Sequence, residues 1–381
     1  MRLIPAQKLT RLDGLAALAE ALPRLGWDYA NHRNTVPAKG QTPTSSLLSP
    51  YLRHRLLTEQ EVVQAVLAAH GAASADKFMQ EVFWRTYFKG HLEQHPEIWA
   101  AYRDGLAQAR ARLAGVPGLA RGYTQALAGE TGIACFDAWV RALTEVGWLH
   151  NHVRMWFASI WIFSLGLPWE LGADFFLRHL LDGDPASNTL GWRWVAGLHT
   201  RGKPYVARAE NIARFTGGRF NPAGQLDETP EPVSEAAPPP RVALPASDPW
   251  PGVACALLLH EEDLAPESLV PRDVTIARVA VLPSLMEAAP PVRAARAAAA
   301  ADAASRAEAA FEVPVTILSG VAEVEGWADG SPIVTPYAPV GPTASALSGL
   351  AMQRVQRPWD QTNWPHCARG FFQLRARIGV V

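Results

Sequence analysis

The chain has 381 residues, 49% of them hydrophobic and 19% charged, with a formal net charge of −1 at pH 7. That length exceeds what one domain usually holds, and the composition excludes a disordered, collagen-like or disulfide-built chain. The near-neutral total hides an asymmetry: residues 1–226 carry 24 Lys/Arg against 18 Asp/Glu, and residues 227–381 carry 11 against 18. A mildly basic front half is compatible with an anionic partner without establishing one.

Cys135, Cys255 and Cys367 are far apart and show no CxxC spacing, which argues for a reducing compartment and against a cysteine metal site. The N-terminus lacks the compact apolar core of a signal peptide. The longest uncharged run, "MWFASIWIFSLGLPW" at 155–169, holds Gly166 and Pro168 and is too short to span a bilayer, so it reads as a buried helix. A cytoplasmic protein with no membrane partner is expected.

In chain order, "TEQEVVQAVLAAHG" opens a helix with the capping box Thr58/Glu61 and stops at Gly71. "SADKFMQEVFWRTYFKGH" continues as an aromatic-rich helix with Ser74 as its N-cap. Residues 134–146 and 150–165 form two helices broken at Gly147, and a further helix runs from about Pro168 to Leu181. Between them and the next tryptophans lies "DGDPASNTLGW", a tight turn with two carboxylates, whose plain alternative is a surface loop. Residues 227–251 are thick with proline and predict an extended linker.

Beyond it the pattern changes. "GVACALLLH", "VTIARVAVL", "VPVTILSG" and "SPIVTPY" are short strand-like runs, "RAARAAAAADAASRAEAAF" and "TASALSGLAMQRV" helix candidates, and "RGFFQLRARI" a closing strand. The expected architecture is a helical domain over 1–226, the linker 227–251, and over 252–381 a smaller α/β domain with a mainly parallel sheet.

No GxGxxG, Walker A, HExxH or GxSxG sequence occurs. His150, His152 and His179 lack the acids or spacing of a metal site, so none is expected. Seven tryptophans (139, 148, 156, 161, 169, 192 and 194) crowd between 131 and 200, and core packing accounts for most. The polar residues among them fit packing less well. Asn151, Arg154 and Met155 share one helix face, as do Phe78, Glu81, Arg85 and Phe88 with Trp84 beside them. Burying Glu81, Arg154 and Asp182 unpaired costs several kcal/mol each, so they require partners or a polar ligand.

The pieces "SSLLSPYL", "EVFWRTYF", "TGIACFDAWVRALTEVGWLHNHVRMWFAS" and "LLDGDPASNTLGWRW", in this order, resemble the FAD-binding helical domain of the DNA photolyase/cryptochrome family over roughly residues 29–205. The resemblance implies FAD held inside a helical bundle. Tyr29 and the stretch Ser45, Ser46, Leu47, Leu48 and Ser49 would hold its phosphates, though "SSLLSP" alone reads as a helix cap. Phe78, where the family often has Trp, Glu81 and Arg85 would line the cavity. Trp148, Asn151 and Arg154 would meet the flavin end, with Arg154 paired to Asp182. Asp182, Gly183 and Asp184 would face the cofactor, and Asn188 would sit by flavin N5.

The resemblance also implies a substrate wall for a flipped pyrimidine dimer made by Glu81, Trp84, Met155 and Trp194, with Arg33, Arg85, Asn151 and His152 at the DNA. Trp192 and Trp169 match two members of the tryptophan chain that photoreduces the flavin. The third has no counterpart in "GVPGLARGYTQALAGE", which leaves Tyr123 or Trp161 as another route. His152 stands where a basic residue is expected, and Arg55 where Gly is common. The family's α/β antenna domain usually comes first, whereas here the α/β pattern follows, as in a permuted or reduced antenna-like domain, and no residue there specifies a second chromophore.

The leading expectation is light-driven repair of cyclobutane pyrimidine dimers in damaged DNA by a photolyase using FAD. A cryptochrome-like blue-light photoreceptor acting on a protein partner is the alternative, and a flavin-binding relic without activity a third.

Overall fold

The structure is a computed structural model describing residues 9–38, 40–235 and 240–376. The front of the chain is helical: α1 (Arg11–Ala21), α2 (Trp27–His32), α3 (Ser49–Arg53), α4 (Glu59–Gln94), α5 (Glu97–Gly115), α6 (Pro117–Ala128), α7 (Ala134–Val146), α8 (Asn151–Ser159), α9 (Trp169–His179), α10 (Pro185–Val195) and α11 (Ala209–Phe215). Thr58 and Glu61 form the capping box: each side chain accepts the other's backbone N–H, at 3.2 Å and 2.9 Å. Gly71 breaks α4 at φ 69°, ψ 163°. Ser74 does not cap the second half; its hydroxyl accepts the N–H of Trp27 at 3.1 Å.

The later region holds β1 (Cys255–Leu259), β2 (Ile276–Val281), α12 (Pro290–Phe311), β3 (Val315–Ile317), α13 (Val324–Ala328), β4 (Ile333–Pro336), α14 (Pro342–Leu347), β5 (Gln353–Val355), α15 (Pro358–Asn363) and α16 (Phe371–Arg375). Every strand pair is parallel and the order is β3-β2-β1-β4-β5, so the parallel sheet is as expected. Two details differ. "TASALSGLAMQRV" is not one helix: α14 ends early and the segment returns as β5, where Tyr337 N–H bonds Val355 O at 2.8 Å. "RGFFQLRARI" is not a closing strand over its described part: 371–375 is helical, and 377–378 lie outside the described residues.

The chain divides into two compact units by contact, and neither is continuous in sequence. One comprises 28–45 and 95–240 (with 1–3, outside the described residues); the other 4–27, 46–94 and 241–381. The grouping therefore departs from the chain-order division at 226 and 252: the long helix α4 belongs with the sheet. The Pro-rich stretch has no helix or strand among its described residues, which make hydrogen bonds in each unit. Val233 N–H bonds Ala196 O at 3.0 Å in the first unit, and Asp248 and Arg354 exchange backbone and side-chain bonds in the second.

In the second unit, Ala256, Leu258, Ala280, Leu282 and Ile333 of the sheet region pack with Leu318, Val324 and Leu347 on one side. The alanine face of α12 (Ala295, Ala299, Ala303, Ala307) is also buried. At the carboxyl end of β1 the sequence His260-Glu261-Glu262-Asp263 meets Arg53-His54-Arg55. Arg53 donates to both oxygens of Glu262 at 2.9 and 2.7 Å, and Lys89 reaches the same carboxylate at 3.2 Å. Arg55 donates to both oxygens of Asp360 at 2.6 and 2.8 Å and to Asp263 at 3.3 Å. Arg357 forks onto Asp263 at 2.5 and 2.7 Å. Burial alone would raise the Asp263 pKa, but the Arg357 and Arg55 guanidiniums overcome it and hold the group at about 2.

Arg55 also has φ 50°, the left-handed region that glycine takes freely. Arg55→Gly separates the two effects. Relief of the backbone gives about 1–2 kcal/mol, while the abandoned carboxylates of Asp360, Asp263 and Glu59 cost roughly 3–5 kcal/mol. Net destabilisation in chemical denaturation is expected, and a more stable variant would refute the ion pairs as the reason for arginine there.

Glu93 supplies a second test. Burial pushes its carboxyl up to about 7, against bonds from Tyr337 OH and Val340 N–H, both at 2.6 Å. Its folded pKa lies above its unfolded value, so its contribution is complete below the usual glutamate range and is lost as pH rises through 7. Glu93→Gln should remove a decline on the order of 3 kcal/mol between pH 4.5 and 7, read as a flatter profile of melting temperature against pH.

Candidate cofactor and substrate site

The expected residues fall in both units. In the first, Gly147 ends α7 at φ 71°, and Leu181 N–H bonds its carbonyl at 2.8 Å. A Cβ there would lie 2.9 Å from Leu181, so only glycine allows this joint. The joint sets residues 148–155 beside the turn 182–184. Arg154 donates to both oxygens of Asp182, at 3.1 and 2.9 Å, and to Leu149 O at 2.9 Å. Trp148 is buried, Arg154 and Met155 are half-buried, and Asn151 is exposed.

"DGDPASNTLGW" is not a surface loop. Asp182 and Asp184 are 9% and 2% exposed. Asp184 is the N-cap of α10, accepting Ser187 N–H at 2.8 Å, and Pro185 takes the first turn. Gly183 N–H bonds Leu180 O at 3.1 Å and closes the turn. Asn188 Nδ2 donates to Ala173 O at 2.8 Å, which fixes the amide and turns its carbonyl oxygen the other way. On the same helix Thr189 Oγ1 and Trp192 Nε1 are buried with no hydrogen-bond partner among the described residues.

The aromatic run is continuous at Trp192. It stands edge to face with Phe176 (5.1 Å) and Trp161 (6.3 Å), and Trp161 with Tyr123 (6.0 Å). Trp161 is fully buried and Tyr123 half-buried. Trp169 lies on Tyr102 at 5.6 Å instead. Trp194 stacks on Tyr205 at 5.3 Å. In the segment 28–45, Tyr29, Arg33 and Ser45 are half-buried.

His152 departs from its expected place at DNA. It is buried, bonded to Asn34 O at 3.0 Å and stacked on Trp156 at 4.1 Å, and burial lowers its pKa. A neutral imidazole held on both sides offers a phosphate no charge. His150 is likewise structural: burial lowers its pKa to about 4 and its ring accepts His152 N–H at 3.2 Å, capping α8.

In the second unit, α4 presents Glu81, Trp84, Arg85 and Phe88 half-buried on one face, while Phe78, Val82, Phe83 and Tyr87 are buried. Arg85 is engaged otherwise than expected: it donates to Arg53 O at 3.2 Å and lies 3.4 Å from Glu59, within the ionic lattice behind the sheet. Trp84 has one ring face covered by Phe371, parallel within 7° at 3.8 Å, a neighbour no sequence signal announced. Ser46 Oγ accepts Leu48 N–H at 3.3 Å, Leu47 takes φ 58°, and Leu48 is buried. Ser49 opens α3, a helix of five residues. Among the described residues no group of three or more His, Cys, Asp or Glu is arranged to hold a metal, and no helix is long and apolar enough to cross a membrane.

This donor set suits a flavin. It contains a paired Arg154–Asp182, an oriented Asn188 carbonyl and two unpartnered buried donors on α10, groups a planar polar ring satisfies.

Residues 78–229 match the FAD binding domain of DNA photolyase. The chain is 34% identical over 218 residues to a deoxyribodipyrimidine photo-lyase of Synechococcus, covering 55% of this chain and 41% of that protein. With the Escherichia coli enzyme of that description it shares 30% over 179 residues, covering 47% and 36%. A crystal structure of a bacterial class III photolyase from Agrobacterium tumefaciens aligns at 27% identity with a TM-score of 0.45, covering 55% of this chain and 43% of that one. The chain thus spans less than half the length of these relatives. Over residues 78–229 the chain is similar to the FAD-binding domain of DNA photolyases, and FAD is its cofactor.

A Cβ on Gly172 would fall 2.3 Å from Trp192 and 2.9 Å from Trp161, so both rings close on bare backbone. Gly172→Ala is expected to destabilise the protein by about 1–3 kcal/mol, and an unchanged melting temperature would refute this close packing.

Proposed function

We propose that the protein repairs cyclobutane pyrimidine dimers in DNA under blue light. Reduced FAD, when bound, supplies the photoexcited electron donor. The chain's own residues bind, orient and stabilise. Arg154 and Asp182 would hold the flavin end, and Asn188 would offer its amide to the ring. The hydroxyls of Tyr29, Ser45, Ser46 and Ser49 are proposed as phosphate contacts. Trp192, Trp161 and Tyr123 lead from the buried interior to a half-exposed phenol and are proposed as the path by which external electrons enter.

The single observation that carries repair is the half-buried α4 face, an acid one turn from an aromatic plane. A dimer turned out of the duplex loses its stacking, and a flat ring such as Trp84 replaces it. The Glu81 carboxyl is proposed to hydrogen-bond the edge of the base, where negative charge accumulates once the dimer accepts an electron. A photoreceptor has no need of an acid beside such a plane.

The experiment is light-dependent loss of thymine dimers from UV-treated oligonucleotides by reduced, flavin-loaded protein. Glu81→Gln should lower repair roughly tenfold, as losing a hydrogen bond to a developing charge does. Trp84→Ala should weaken dimer binding by about 1–3 kcal/mol. Repair undiminished in both would reject these roles, and a flavin-loaded protein that repairs nothing would point to a photoreceptor.

A further inference from the structure

We propose that Phe371 is an internal occupant of the base-stacking face of Trp84, and that the segment from Gly370 to Arg375 must swing away before a nucleobase can use that face. The proposal rests on the role given to Trp84 above and adds a regulation of that same face.

The geometry is that of a ligand. The Phe371 and Trp84 rings are 3.8 Å apart and parallel within 7°, the spacing and orientation of stacked flat rings. The other ring contacts of Trp84 are of different type: edge-on to Tyr87 at 86°, tilted to Phe88 at 38°. A base stacked on the covered face and Phe371 in place exclude each other sterically.

The segment is also built to leave. Just before it the chain is firmly held: Trp364 and Cys367 are buried, Gln94 donates to Trp364 O at 2.9 Å, and His91 bonds Cys367 O at 3.1 Å. Gly370 then takes φ 128°, ψ 160°, open only to glycine, and nothing lies within 4 Å of a Cβ placed there. The helix that begins at Phe371 has five residues, too few to hold itself. The ion pair at its end, Arg375 to Asp76 at 3.8 Å, is about 40% exposed on each side and weak. Phe371 and Leu374 are its buried anchors, while Phe372 beside them is 74% exposed. A firm anchor, a glycine joint and a short helix on two apolar side chains make a hinged cover.

If the uncovered state is a minor one, apparent affinity for a base falls by the fraction of time uncovered. Phe371→Ala in the full flavin-loaded chain should therefore bind a dimer-containing oligonucleotide in the dark at least about fivefold more tightly, with the flavin spectrum unchanged. A chain ending at Gly370 should do the same, which covers the case of a misfolded point variant. The contact itself is read separately in protein labelled with 5-fluorotryptophan: the fluorine signal absent from Trp84→Phe should move in Phe371→Ala, and in wild type on adding the oligonucleotide. A moved signal with wild-type affinity overturns the cover while leaving the proposed function standing. Failure of wild type, Phe371→Ala and the shortened chain alike to bind the dimer overturns the function, and the cover with it.

Discussion

The sheet-bearing unit depends on a lattice of buried charges in which Arg53, Arg55, Lys89 and Arg357 face Glu59, Glu262, Asp263 and Asp360. Any one of these ions alone at such depth would cost several kcal/mol. Together, with forked guanidinium–carboxylate geometry, they satisfy one another. Removing a single member strands its partners, so the segment 53–55, the start of α4, the turn after β1 and the α15 region are fixed as a set. Two aligned aliphatic surfaces could slide by a residue; two guanidinium forks cannot.

The same lattice explains what lies at the carboxyl edge of the sheet. In an open parallel sheet of order 3-2-1-4-5, the crevice beyond the strand ends at the point of reversal, here between β1 and β4, is the usual ligand position. In this protein the turn leaving β1 is taken up by the chain's own side chains. His54 Nδ1 bonds Glu261 O at 2.9 Å, His260 Nε2 bonds Pro336 O at the end of β4 at 2.8 Å, and Arg53 grips Glu262. The edge that such folds often give to a nucleotide serves here to hold α3 and α4.

How much was legible in the sequence depended on whether the cause was local. The capping box at Thr58, the stops at Gly71 and Gly147 and the proline start of the helix after residue 168 act within a turn of themselves, and the parallel strands announce themselves by apolar runs between helices. The Arg154–Asp182 pair came from the family resemblance and not from any local signal, since only the fold joins residues 28 positions apart. β5 was hidden because Gln353-Arg354-Val355 has no apolar run, and its strand state comes from β4 pairing beside it. Arg55 looked anomalous against the family's glycine because its compensation, Asp360, lies 305 residues away. The Phe371–Trp84 stack has the same character: only the fold joins positions so distant.

Those long-range pairings also change what the basic front half means. Its charge excess suggested attraction to an anionic polymer, yet Arg53, Arg55 and Arg193 are committed to Glu262, Asp360 and Glu235, carboxylates of the acidic later half. A cation already neutralised by a buried carboxylate cannot displace counterions from DNA, which is the source of salt-sensitive affinity. His152 adds no charge either, since its ring is buried and neutral. For the proposed repair function, recognition must then lean less on phosphate and more on flat apolar surface. That places the weight on rings such as Trp84, and makes whatever stacks on Trp84 in the absence of DNA a determinant of how tightly damage is bound.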